Sequence, residues 1–227
     1  MLRWVNPGPR GNCRSGGQTL GVIGKLRRWR CGSLLLGIGL YLGFSTLAWA
    51  DENLWQALRS GTAVGLIRHA LAPGGGDPAH FQIEDCATQR NLSAAGRQQA
   101  RAIGAAFRRN GITTARVLSS RWCRCLDTAR LLDLGPVEPF PPLDSFFSYP
   151  ERADAQMAAL REYLSRPYAG PPRLLVTHQV NITALTNVMP RSGELIIVQP
   201  LTGGRIQVLG RLEPGNESDW ATPPDAK

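Results

Sequence analysis

The chain has 227 residues, 43% of them apolar, enough for one sizeable core and too apolar for a chain disordered throughout. Its formal charge is +9, yet the seven basic residues of segment 1–50 (Arg3, Arg10, Arg14, Lys25, Arg27, Arg28 and Arg30) meet no acidic residue there, which leaves 19 basic against 17 acidic residues over 51–227. Basicity confined to one end excludes the broad electropositive face of a nucleic-acid-binding domain, so no nucleic-acid partner is expected.

Segment 1–50 has the layout of an export signal with an extended polar N-terminus: the cluster "KLRRWR", the apolar run "CGSLLLGIGLYLGFSTLAW", and a small-residue site at Ala48-Trp49-Ala50. Cleavage there starts the mature chain at Asp51. Left uncleaved, the run is nearly long enough to span a bilayer and serves as a membrane anchor. Either route puts the domain in the periplasm or otherwise outside the cytoplasm, where disulfides persist.

After the leader, apolar runs alternate with helical patterns. Ala63 to Arg68 reads as a first strand, followed by a Gly- and Pro-rich loop from Ala70 to Asn91 that is long enough to be functional. Ser93 caps a helix whose apolar residues Ala100, Ile103, Ala106 and Phe107 recur at helical spacing and which Asn110-Gly111 ends. "ARVLSS", residues 115–120, is a second strand, and a helix runs from Trp122 to Leu132. The stretch "GPVEPFPPLDSFFSYP" holds at most one short edge strand. A helix from Ala153 to Ser165 leads to the strand "RLLVT", 173–177, then a helix from Asn181 to Met189. "ELIIVQ" and "GRIQVLG" close the domain as a hairpin around Gly203-Gly204. The order predicts an α/β fold: a single three-layer domain over 51–212, with a mainly parallel central sheet and helices on both faces, and a disordered tail over 213–227.

Only three histidines occur, and two of them, His69 in "LIRH" and His178 in "LLVTH", stand one step beyond a buried strand. Ligands of open parallel sheets bind outside the carboxyl ends of the strands, so these two are expected at one site although 109 positions separate them. The second strand ends at that edge too, and "SSRWCRCLDTA" puts Arg121 and Arg124 at a helix start, where arginine forks onto phosphate.

"LIRHA", "SAAGRQQA", "SSRWCRCLDTA" and "VTHQV", in that order over roughly residues 62–190, resemble the histidine phosphatase superfamily, the phosphoglycerate mutase-like group in its branch 1. The resemblance implies that His69 is the nucleophile of a phosphohistidine mechanism, with Arg68, Arg124 and His178, joined by Gln179, around the phosphoryl group and with no metal or other cofactor. A neutral imidazole is needed for attack, and the flanking Arg68 and Arg124 favour it. Three positions depart from the family pattern: Ala70 stands for the usual Gly, Arg121-Trp122 for Pro-Leu, and Gln179 for Gly. The family's proton donor falls in a segment that "PPLDSFF" matches loosely. Asp144 is the candidate, with Ser145 at the strict position and His80, Glu84 and Asp85 in the long loop as rivals.

The mature chain keeps Cys86, Cys123 and Cys125, which is one pair and one free thiol by count. A C-x-C with one distant cysteine lacks the fourth ligand of a structural zinc site. On the expected fold Cys86 pairs with Cys123, nearer the helix start and rim, or with Cys125, placed toward the core. The expected function is hydrolysis of a phosphomonoester or phosphoramidate on a phosphorylated small molecule or cell-envelope phosphate. The alternative is a catalytically silent phosphate- or glycan-phosphate-binding module on the same fold.

Overall fold

Burial on both sides makes strands out of the runs around the two histidines. Val64–Arg68 (β1) and Arg173–Thr177 (β4) are almost wholly buried and lie side by side in parallel, Leu66 opposite Leu175 and Arg68 opposite Thr177. These and the other elements come from a computed structural model, which describes residues 51–214. The leader expected over 1–50 and all but the first two residues of the expected tail lie outside the described residues.

A helical segment over 51–59 (α1) precedes β1. Then come Ala94–Arg109 (α2), Arg116–Ser119 (β2), Cys123–Leu132 (α3), Val137–Pro139 (β3), Ala153–Ser165 (α4), β4, Gln179–Thr186 (α5), Leu195–Pro200 (β5) and Ile206–Leu212 (β6). The sheet order is β3-β2-β4-β1-β5-β6. The first four strands are mutually parallel, while β5 runs antiparallel to β1 and β6 antiparallel to β5. This is the mainly parallel α/β sheet expected, with the antiparallel pair at one edge formed by the closing hairpin. Among the described residues, no helix is long and apolar enough to cross a membrane.

Two apolar layers flank the sheet. On one face Ile67, Val117, Leu174 and Val176 pack with Trp55 and Leu58 of α1, Ile103 and Phe107 of α2, and Leu132 of α3. On the other, Leu66, Leu118 and Leu175 pack with Met157, Leu160 and Leu164 of α4 and Ile182 and Leu185 of α5. Alternate residues of one strand thus serve opposite layers, as the two-residue period of a strand requires.

Local signals set most boundaries. The Ser93 side chain accepts a bond from the Gly96 amide, and α2 ends at Asn110, before Gly111 with φ of 77°. α5 corrects the expected 181–189 helix. It begins at Gln179 because His178 itself is the capping residue and its carbonyl accepts from the Ile182 amide, and it stops at Thr186 because Asn187 turns left-handed, φ 59°. The proline-rich stretch supplies the edge strand β3 and two single-turn 3-10 helices, Pro141–Leu143 and Pro150–Arg152.

Candidate active site

Three strand ends are tied together by main-chain bonds beyond the sheet ladder. The His69 amide donates to Thr177 O at 2.9 Å and the Ser120 amide to Val176 O at 2.9 Å. The turn after His69 is held by the Ala70 amide, which donates to Thr128 Oγ1 on α3 at 3.0 Å. Thr128 in turn donates to the Arg124 carbonyl at 2.7 Å. The result brings the His69 and His178 rings to a 5.6 Å centroid separation. Arg68, His69, Arg124, His178 and Gln179 all line one cavity of about 200 Å³.

His69 is only 2% exposed, and its Nδ1 lies 2.8 Å from the Ala70 carbonyl. A carbonyl only accepts, so Nδ1 carries the hydrogen and Nε2 keeps the lone pair. Burial, and next the charge of Arg124, push the ring down to about 3, with Arg68 and Arg90 adding and the Ala70 bond opposing. The imidazole is therefore neutral at neutral pH, with its lone pair on Nε2. His178, 3% exposed, is lowered well below the ordinary value, by burial first and then by Arg124.

Arg124 sits in the first turn of α3 and is 3% exposed. Its Nη1 donates to Asp77 Oδ1 at 2.7 Å, and its Nη2 lies 3.4 Å from His178 Nδ1. The Nε atoms of Arg68 and Arg124 are buried and have no partner among the described residues. Arg68, Arg90 and Arg124 thus share a single lining carboxylate, Asp77, and the cavity has a surplus of positive charge for an anion. Burial alone would raise Asp77, but the bond and charge of Arg124, the Arg90 amide and the Trp122 indole together hold its carboxyl below the ordinary range.

Asp77, Arg90 and Trp122 are site residues that sequence reasoning did not single out. Trp122 Nε1 donates to Asp77 Oδ2 at 3.0 Å, and its ring meets Phe81 at 5.6 Å and the His178 ring edge-on at 5.4 Å. The only sequence signal for Trp122 was its standing where Leu is usual, and Asp77 had none beyond its place in the long loop.

Asp144, the expected proton donor, is placed apart from the cavity lining. Its carboxylate does not line the cavity: Oδ1 accepts from the Arg121 amide at 2.8 Å and Ser120 Oγ at 3.3 Å, and Oδ2 accepts the Arg121 fork at 2.8 and 2.6 Å. So bound, the carboxyl group is turned to Arg121 and Ser120 and away from the cavity. Ser145 does line the cavity, whereas His80, Glu84 and Asp85 are exposed loop residues outside it, Asp85 capping the short turn at Cys86–Thr88.

Cys86 and Cys123 form a disulfide with a Cα separation of 5.6 Å. Cys125 is the free, buried thiol, and burial pushes it up to about 12, which makes it unreactive. The bridge ties the long loop to the first residue of α3, beside Arg124. Gln89 reinforces the tie by accepting from the Cys123 amide at 3.0 Å.

Residues 64–144, which carry β1, the long loop, α2, β2 and α3, match the family model of the histidine phosphatase superfamily, branch 1. The match spans 81 of the 227 residues. No curated protein sequence matches the chain. Solved structures similar to it include the protein histidine phosphatase SixA complexed with tungstate, at 18% identity over 68% of this chain and 98% of that one, TM-score 0.49. YhfR of Bacillus stearothermophilus matches at 16% identity over 64% of this chain and 94% of that one, TM-score 0.46. The product of open reading frame Rv3214 of Mycobacterium tuberculosis matches at 16% identity over 64% and 94%, TM-score 0.46. In the matched region lie His69 and its neighbour Arg68, Arg124, and the disulfide, whereas His178 and Gln179 lie beyond it.

Proposed function

We propose that the protein is a phosphatase that hydrolyses a phosphomonoester or phosphoramidate through a phosphohistidine on His69. The observation that carries the reading is the His69 Nε2 lone pair, fixed by the bond from Nδ1 to Ala70, in a cavity whose polar walls include Arg68, Arg124 and His178. Nε2 attacks phosphorus, the bond from phosphorus to the leaving oxygen or nitrogen breaks, and the phosphoryl group stays on His69. Water then attacks the phosphohistidine, and the phosphorus–nitrogen bond breaks to release phosphate and restore His69. The arginines supply the positive charge that the phosphoryl oxygens need, so the reaction as proposed uses no metal or cofactor.

The leaving group follows from the acids. The lining carboxylate, Asp77, is held as an anion by Arg124, the Arg90 amide and Trp122, and Asp144 is committed to Arg121. Without a protonated carboxyl, the cavity suits leaving groups that depart with little protonation, such as the imidazole of a phosphohistidine. The substrate in this reading carries its phosphoryl group on a small molecule or on a cell-envelope component.

The test compares wild type and His69→Ala on aryl phosphates and phosphoramidates and traps an acid-labile phosphoenzyme by rapid quench. Turnover and trapped phosphate are expected from wild type alone. Turnover by His69→Ala would overturn the covalent mechanism, and phosphate binding without turnover by wild type would favour a silent binding module.

A further inference from the structure

The cavity that holds the histidines and arginines also has aromatic walls: Phe81 from the long loop, Trp122 at the start of α3, and Phe147 and Tyr149 from the proline-rich stretch. A row of rings leads away from His69, with His178 at 5.6 Å from it, Trp122 at 5.4 Å from His178 and Phe81 at 5.6 Å from Trp122. Trp122 is buried and Phe81 half-buried, whereas Phe147 and Tyr149 are 68% and 36% exposed. Two other large apolar side chains among the described residues, Leu71 and Met189, are as exposed, and neither lines the cavity. Aromatic faces left bare at the rim of a pocket mark a surface for a ligand. The segment that presents them is held firmly. Phe146 is buried in the layer packed by α4 and α5, the Phe147 amide donates to Ser145 Oγ at 3.3 Å, and the Tyr149 amide donates to the Phe146 carbonyl at 3.0 Å. The Arg152 guanidinium stands 4.3 Å over the centre of the Tyr149 ring and fixes its plane.

We propose that Phe81, Phe147 and Tyr149 form a subsite for an uncharged aromatic ring bonded through oxygen to the phosphoryl group, so that the substrate class is an aryl phosphate. The proposal rests on the phosphatase reading above. Size agrees with it: a cavity of roughly 150 Å³ holds benzene, so one of about 200 Å³ holds a phosphoryl group with one ring and excludes a long or branched leaving group. Charge agrees as well. The arginines of the lining take the phosphoryl end, and the lining residues of the proline-rich stretch, Ser145, Phe147, Ser148 and Tyr149, are all uncharged. The chemistry follows from the missing acid. When the bond from phosphorus to the ring's oxygen breaks, its electron pair stays on a phenolate, whose conjugate acid has a pKa of about 10, far below that of an alcohol. The phenolate leaves unprotonated and takes its proton from solvent.

Calorimetric binding of phenylphosphonate, cyclohexylphosphonate and methylphosphonate to the disulfide-bonded protein tests the subsite, at a pH above their second ionisation. Their phosphorus–carbon bonds exclude turnover, so affinity is read without catalysis. Wild type is expected to bind the phenyl compound about tenfold or more tighter than the methyl one, the scale of a good aromatic contact with the area it buries, and tighter than the cyclohexyl one. In Phe147→Ala and Tyr149→Ala the ratio of phenyl to methyl affinity is expected to fall several-fold, and Phe147→Trp should retain it. Both side chains are exposed, so these variants leave the core untouched. Equal affinity for the phenyl and methyl compounds would overturn the proposal, and so would a cyclohexyl compound that binds as tightly as the phenyl one. A ratio unchanged in both alanine variants would remove Phe147 and Tyr149 from the subsite and overturn it too. Failure of wild type to turn over phenyl phosphate or any other phosphate sinks the phosphatase reading instead, and the phosphonate affinities still decide whether the ring subsite exists.

Discussion

His69 and His178 are buried imidazoles beside three arginines, and this has a cost that can be measured. The folded His69 value of about 3 lies below the 6.5 of an unfolded chain. Between those values the unfolded chain binds a proton that the folded one refuses, so the contribution to stability is complete above about pH 6.5 and falls as the pH drops toward 3. The slope is at most about 1.4 kcal/mol per pH unit for His69, and His178 acts in the same direction. Thermal melts from pH 8 to 4 should show a falling midpoint, and His69→Gln, which cannot titrate, should flatten the fall. A profile unchanged by that substitution would contradict the neutral, buried imidazole.

At the scale of elements, the site depends on how the long loop after β1 is anchored to α3. The Cys86–Cys123 bridge closes 37 positions, and chain-entropy arguments value such a link at about 3 to 4 kcal/mol. It also keeps Asp77 and Arg90 against Arg124, so the paired substitution Cys86→Ser with Cys123→Ser should lower the melting midpoint and weaken binding of inorganic phosphate. Equal phosphate affinity with and without the bridge would restrict its role to stability. A second contact of this kind joins α2 to the end of α3. A Cβ on Gly104 would lie 2.0 Å from the Leu132 carbonyl oxygen, which is main chain and cannot swing aside. Gly104→Ala should therefore cost about 1 to 3 kcal/mol in urea unfolding despite its better helix propensity. Unchanged stability would mean that the two helices are free to separate.

The whole molecule joins an oxidised loop to a phosphate-sized cationic cavity, a combination that suits a compartment outside the cytoplasm. With the leader of segment 1–50, this leads us to propose an exported protein whose N-terminal residue is Asp51. Mass analysis of the N-terminus in protein from its native host should find Asp51. A full-length membrane-bound form would mean that the leader is an anchor, and a full-length cytosolic form would contradict export.

Local sequence determined the elements and part of the site. Strand-length apolar runs ending in "IRH" and "VTH", a capped helix after Ser93, and three cysteines with one odd all have short-range physical signatures, so the α/β order, the meeting of His69 with His178 and the Cys86–Cys123 pairing could be read or narrowed from the chain. The partners of those residues could not. Asp77 reaches Arg124 across 47 positions and Ser120 reaches His178 across 58. Asp144, which reads as an acid by its place in a motif, is taken by Arg121 and Ser120 instead. Periodicity and capping depend on residues within a turn or two, whereas which carboxylate meets which cation depends on where long loops return, and only the closed sheet with its layers of helices decides that.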